Sequence, residues 1–195
     1  MFLNKKSNKL NGMNKILYWF RQLKVLFVLQ VVGCGIITDK HAADQHFSDP
    51  QVIALAEASV EGDILEIDRL LKAGVDINTV GKAGLNPIYW LLVHNKESEK
   101  KKIGFHYFLK NDANVLQAYT PTNEPLLHVT AEYIDSIYLK MILEEQPDVD
   151  IDFETESSWN TALLQAESSN RFQNFKILLD HGADIEKKME EEILH

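Results

Sequence analysis

The chain holds one thiol, Cys34, and seven histidines: His41, His46, His94, His106, His128, His181 and His195. A single cysteine cannot form an internal disulfide, so any chemistry at Cys34 is done by the thiol itself. The histidines are scattered. No pair has the HExxH spacing that puts two imidazoles on one helix face, and no Cys/His set has the spacing of a zinc site. Asp148, Asp150 and Asp152 alternate, but Asp152 runs into Phe153-Glu154-Thr155, without the glycine a calcium loop needs at its turn. There is no GxSxG and no phosphate-cradling GxxxxGK. The residues therefore predict a chain that is not an enzyme and takes no cofactor or metal.

Charge divides the chain. The first 33 residues contain Lys5, Lys6, Lys9, Lys15, Arg21 and Lys24 and no acid, and beyond them 14 basic residues face 29 acidic ones, a formal charge of −15. A body that acidic repels phosphate backbones, which argues against nucleic acid as a partner. Ahead of Cys34, the basic residues precede an apolar run from Val25 to Val32 broken only by Gln30. This is the layout of a secretory signal, too short to span a bilayer comfortably. The run ends Val31-Val32-Gly33-Cys34, which resembles the lipobox of bacterial lipoproteins. The resemblance implies a signal peptide over 1–33, with Met13 as an alternative start. It also implies a diacylglyceryl group on the Cys34 thiol and a tether over 34–48. Several acyl chains make a stable anchor where one does not. Gly35 in place of aspartate favours the outer membrane. Two other readings stand beside this one. Ile16 to Ile37 could be an uncleaved membrane helix carrying Arg21 and Lys24 at high cost, or Cys34 could be a buried structural thiol.

Beyond the tether the sequence repeats itself. Leu70-Leu71-Lys72-Ala73-Gly74-Val75-Asp76-Ile77-Asn78 returns as Leu178-Leu179-Asp180-His181-Gly182-Ala183-Asp184-Ile185-Glu186, with weaker copies around Asp112 and Gln146. The equivalent positions Gly74, Asp112, Gln146 and Gly182 lie 38, 34 and 36 residues apart. Upstream of three copies stand Asn86-Pro87-Ile88-Tyr89, Glu124-Pro125-Leu126-Leu127-His128 and Thr161-Ala162-Leu163-Leu164, and Asp49-Pro50 opens the first unit. Both halves resemble the ankyrin repeat. The resemblance implies an all-α repeat over 49–195: an ankyrin solenoid of about four helix-turn-helix units joined by β-hairpin-like loops. Asp49, Asn86 and Thr161 suit helix starts, Pro50 and Pro87 suit first turns, and Glu124 is a poor cap. Ile64, Ile67, Leu70 and Leu71 share a helix face, as do Phe172, Phe175, Leu178 and Leu179, and these faces are expected to meet in the core. Gly74 and Gly182 suit the left-handed turn that ends a helix. Asp112 and Gln146 replace that glycine, so the middle units should end less regularly. Asn95 to Lys102 reads as a charged, solvated loop inserted in the second unit.

A solenoid presents hairpin tips and first-helix residues on its concave side. Carried onto this chain, the positions expected to meet a protein partner are Lys82, Leu85, Trp90, His94, Tyr119, Glu132, Phe153, Trp159 and Asn160. The aromatics stand out because aromatic side chains dominate interface energies, and Trp90 could equally fill a gap in the core. The expected function is that of a monomeric, lipid-anchored protein facing the periplasm and binding one protein. Its layout resembles some immunity proteins that block antibacterial effectors, lipases among them. The alternative is an accessory role beside a periplasmic enzyme or envelope assembly.

Overall fold

The computed structural model describes residues 40–93, 97–133, 135–155 and 160–187, all within the compact unit that begins at Thr38. Cys34 and the expected signal peptide, His94 and Trp159 lie outside the described residues.

The described chain is mostly helical. Its α-helices are α1 (Pro50–Glu61), α2 (Ile64–Lys72), α3 (Pro87–Val93), α4 (Glu99–Lys110), α5 (Leu126–Glu132), α6 (Ile137–Glu145), α7 (Ala162–Ser168) and α8 (Phe172–Asp180). A two-stranded antiparallel ribbon joins β1 (Ala118–Tyr119) to β2 (Glu124–Pro125), with Ala118 opposite Pro125 and Tyr119 opposite Glu124.

Local chemistry sets the helix starts. The Asp49 carboxylate accepts from the Gln51 amide at 2.8 Å, Asn86 Oδ1 from Tyr89 at 3.0 Å and Thr161 Oγ1 from Leu164 at 3.3 Å. Asp63 and Ser98 do the same for α2 and α4. Each such cap contributes about 1 kcal/mol. Pro50 and Pro87 open their helices, where a missing amide costs nothing. α5 has no side-chain cap: its N-cap position is Pro125, and Glu124, expected there as a poor cap, lies one residue earlier in β2. Gly74 and Gly182 take φ of 89° and 94°, and Asp112 adopts the same left-handed turn at 58° without being glycine. Gln146 does not, at φ −126°.

Helices pack in sequence-adjacent pairs, α1 on α2, α3 on α4, α5 on α6 and α7 on α8, and each pair leans on the next through α1–α3, α1–α4, α4–α6 and α5–α7. Gly104 permits the closest approach: a Cβ there would come within 2.0 Å of the Ser59 carbonyl oxygen.

The buried stripes differ in detail from the sequence expectation. α2 buries Ile67 and Leu70, but Ile64 is 38% exposed. α8 buries Asn174, Ile177 and Leu178 while Phe172 is 78% exposed, and Phe175 and Leu179 are only partly covered. The first residue of each of these helices stays exposed, and the stripe facing the core of α8 is turned by about one position.

Polar bonds stitch one pair to the next. Asn78 Nδ2 donates to the Asp112 carbonyl at 3.0 Å while its Oδ1 accepts from the Asn114 amide at 2.7 Å. Gln146 Nε2 reaches the Ala113 carbonyl at 2.9 Å, and the Asp184 amide donates to Asp152 Oδ1 at 2.9 Å. The Tyr107 hydroxyl donates to Asp68, and Arg171 Nε donates to the Glu132 carbonyl at 2.6 Å. These bonds join residues between 32 and 39 positions apart.

Candidate interaction surface

The loops between helix pairs are tied edge to edge. The Lys82 amide donates to the His46 carbonyl at 2.8 Å, and the Thr120 amide donates to the Ala83 carbonyl at 3.0 Å. The turn between these bonds is left-handed at Ala83 (φ 57°) and Gly84 (φ 78°). A Cβ on Gly84 would meet Thr120 Oγ1 at 2.6 Å, so the two tips touch through backbone. On the outside of this ribbon Lys82, Ala83, Thr120 and Pro121 are exposed, and Val80 is 52% exposed. Burial, and then the nearby Lys82 ammonium, pull the His46 imidazole below its ordinary range.

The residues expected at a partner surface divide. Lys82 stands on the exposed edge. Phe153 is half-buried, its carbonyl 3.0 Å from His128 Nε2 and its ring 6.4 Å from the imidazole. Glu132 is half-buried, its carboxylate 3.4 Å from Ser169 Oγ and its carbonyl bonded to Arg171. Leu85, Trp90, Tyr119 and Asn160 are buried, at 2, 3, 6 and 8% exposure. Leu85 lies beneath the tip it was expected to present, Tyr119 packs on Tyr89 with centroids 5.6 Å apart, and the Asn160 amide donates to Gln165. Trp90 takes the gap-filling role. The cause is local: α3 reads Pro-Ile-Tyr-Trp-Leu-Leu-Val, apolar all round, and such a helix is covered on every side. Pro87 to Leu92 are all buried, so α3 offers a partner almost nothing and the loop edge offers most.

The inserted stretch is also more than a solvated loop. α4 begins at Glu99, inside it, and Lys101 is 4% exposed. Lys101 Nζ donates to the Leu92 carbonyl at 2.8 Å, completing the C-terminal end of α3 where a cation is favoured. It also lies 3.7 Å from a Glu97 oxygen and 5.4 Å from the centre of the Tyr138 ring. The Tyr138 hydroxyl donates to both Glu97 oxygens, at 2.7 and 2.8 Å. Burial pushes Lys101 down, opposed by Glu97, and pushes Tyr138 up, reinforced by Glu97. Tyr133 beside them is raised to about 12, chiefly by burial. The run of charges gave no signal of this cluster, because Tyr138 lies 41 residues from Glu97.

No protein-family model matches the chain, and no curated protein matches it. Among the described residues no three His, Cys, Asp or Glu side chains gather to hold a metal ion, and no helix is long and apolar enough to cross a membrane.

Proposed function

We propose that the chain is an ankyrin-type solenoid of four helix pairs that binds a protein through the exposed edge of its loops. In this reading a lipid on Cys34 holds it at the bacterial envelope, facing the periplasm, where it acts as an immunity protein against an antibacterial effector of lipase type. The observation that carries the binding role is the ribbon of tips: backbone bonds link His46, Lys82, Ala83 and Thr120, and Lys82, Ala83 and Thr120 are exposed. A pre-ordered edge loses little conformational freedom on binding. The solenoid reading draws support from polar bonds between residues 32 to 39 positions apart, close to the spacing of the sequence copies. Occluding an effector's cleft is a steric task that asks no chemistry of this chain.

Capture of envelope and secreted proteins on the purified protein tests the role. An immunity protein retrieves one effector, and cells lacking the gene become sensitive to kin that carry that effector. Lys82→Glu with Thr120→Arg should weaken the captured complex without lowering the melting temperature. Retrieval of resident envelope enzymes alone, with no sensitivity in competition, overturns the immunity role in favour of an accessory one. Labelled palmitate should enter the wild-type protein and not Cys34→Ser. Absence of label from the wild type overturns the lipid anchor.

A further inference from the structure

Between the loop that follows α4 and the loop that follows α6 runs an open groove of about 390 Å³. Its lining includes the half-buried Leu116 and Val149 and the acidic residues Asp112, Glu145 and Asp148. Asp112 and Asp148 belong to different loops, so the groove has an acid on each lip. Glu145 is held by His106 Nε2 at 2.7 Å. Neither Asp112 nor Asp148 has a cationic partner among the described residues. The groove is braced from below: Gln146 Nε2 donates across it to the Ala113 carbonyl at 2.9 Å and to the Leu109 carbonyl at 3.3 Å. The loop that carries Asp112 continues into β1 and the tip at Thr120 and Pro121.

We infer that this groove takes an arginine or lysine side chain from a basic segment of the protein partner. The inference rests on the protein-binding reading and names the chemistry the partner must bring. A channel with apolar walls and anionic lips fits a long cationic side chain better than any other: its methylene stem covers the half-buried Leu116 and Val149 while its charged head stays at the carboxylates. A neutral apolar side chain would gain nothing from the two exposed acids, and an acidic one would be repelled. The excess of 29 acidic over 14 basic residues beyond position 33 draws basic segments toward the whole surface, and such steering raises encounter rates. What the groove adds is a place to seat one side chain.

The probe is Nα-acetyl-arginine amide, titrated into the nitrogen-15-labelled full chain, with Nα-acetyl-citrulline amide as the uncharged analogue of the same shape. The arginine compound should shift the amide signals of Ala113 to Leu116 and of Val149 saturably. Citrulline, and the Asp112→Asn/Asp148→Asn double variant, should each weaken the response about fivefold, the factor that about 1 kcal/mol makes in an equilibrium constant. Both substitutions lie at exposed positions, and an unchanged melting curve shows the variant still folded. Equal binding of citrulline overturns the inference, since the site would then be merely apolar. So do shifts spread evenly over distant acids such as Glu66 and Asp180, which would show counter-ion attraction without a site. A partner held as tightly by the double variant as by the wild type overturns the groove's role and leaves the protein-binding reading standing. Failure of the wild type to capture any protein overturns that reading, while the arginine titration still decides the groove.

Discussion

The junction between the first two helix pairs and the junction between the last two are built from different materials. At the first, α1 meets α4 backbone to backbone, Gly104 against Ser59, with Leu55, Ala56, Phe105 and Phe108 buried around them. The polar bonds that cross it lie at exposed or part-buried positions: Lys100 to Glu61 at 3.0 Å, Asn78 to Asp112 and Asn114, and Tyr107 to Asp68. The exposed ion pair contributes little. At the last junction α5 packs on α7 with Leu126, Leu127, Leu163 and Ala166 buried, and buried polar side chains add to that joint. Asn174, 1% exposed, donates to the carbonyls of Ala131 at 2.9 Å and Tyr133 at 2.8 Å. His128, also buried, meets the Phe153 carbonyl. An apolar contact depends on shape and area, whereas a buried polar one depends on each donor finding its acceptor. Removing one partner strands the other out of water, at a cost of about 1–3 kcal/mol. The last junction should therefore be the more specific of the two and the more easily loosened by a single change.

Four measurements probe that contrast. Leu178→Ala removes a side chain with no exposed surface and should lower stability by about 2–5 kcal/mol. Its neighbour Leu179 is only partly buried, so Leu179→Ala should cost clearly less in the same thermal melts. Equal losses would mean the buried stripe of α8 runs through Leu179 as the sequence periodicity suggested. Asn174→Ala should cost about 1–3 kcal/mol, and hydrogen exchange should quicken at the end of α5 and in α8 before it does in α1 and α2. Uniform quickening would show that the two junctions are not energetically distinct.

Gly104→Ala forces α1 and α4 apart. Overpacking costs about 1–3 kcal/mol, and alanine's better helix propensity returns about 1, so a modest net loss is expected in denaturant unfolding. A gain in stability would mean that Ser59 does not lie against Gly104.

The smallest effect concerns alkaline pH. Burial holds the Tyr133 proton up to about 12 in the fold, against about 10 in an unfolded chain. Its contribution is fully present below pH 10 and is lost as pH rises toward 12. Lys101 is shifted the other way by burial: the fold disfavours its charge, so that cost eases as pH rises toward the ordinary lysine value. Stability should then stay level or rise slightly up to about pH 10 and fall above it. Tyrosinate absorbance should appear together with loss of helical circular dichroism. Full tyrosine ionisation in a still-folded protein would contradict the burial that holds the Tyr133 and Tyr138 protons.

The sequence carried the helix starts at Asp49, Asn86 and Thr161 and the left-handed turns at Gly74 and Gly182, because each is decided within four residues of chain. Helix faces were less legible. Periodicity identifies a stripe, but which edge of it meets a neighbour depends on where the next pair sits, and that left Ile64 and Phe172 exposed. The candidate surface was read less well than the helices. Trp90 and Leu85 stand at positions that face outward in the resembled repeat, yet α3 has no polar side for them to share, and both are buried. Lys101 was illegible for a different reason. Its burial depends on Leu92 and Tyr138 converging on it, and a run of four charged residues looks the same whether or not they do.

The stitching bonds have a consequence for how the molecule comes into being. Each helix pair finds its packing partners in the pair just before or just after it, so no element must wait for a segment from the far end of the chain. Contacts that close short stretches form quickly and at small entropic cost. A polypeptide presented end first can add one pair at a time to a surface already in place, and α8, with its ring of polar partners on α5, is the piece that locks on last.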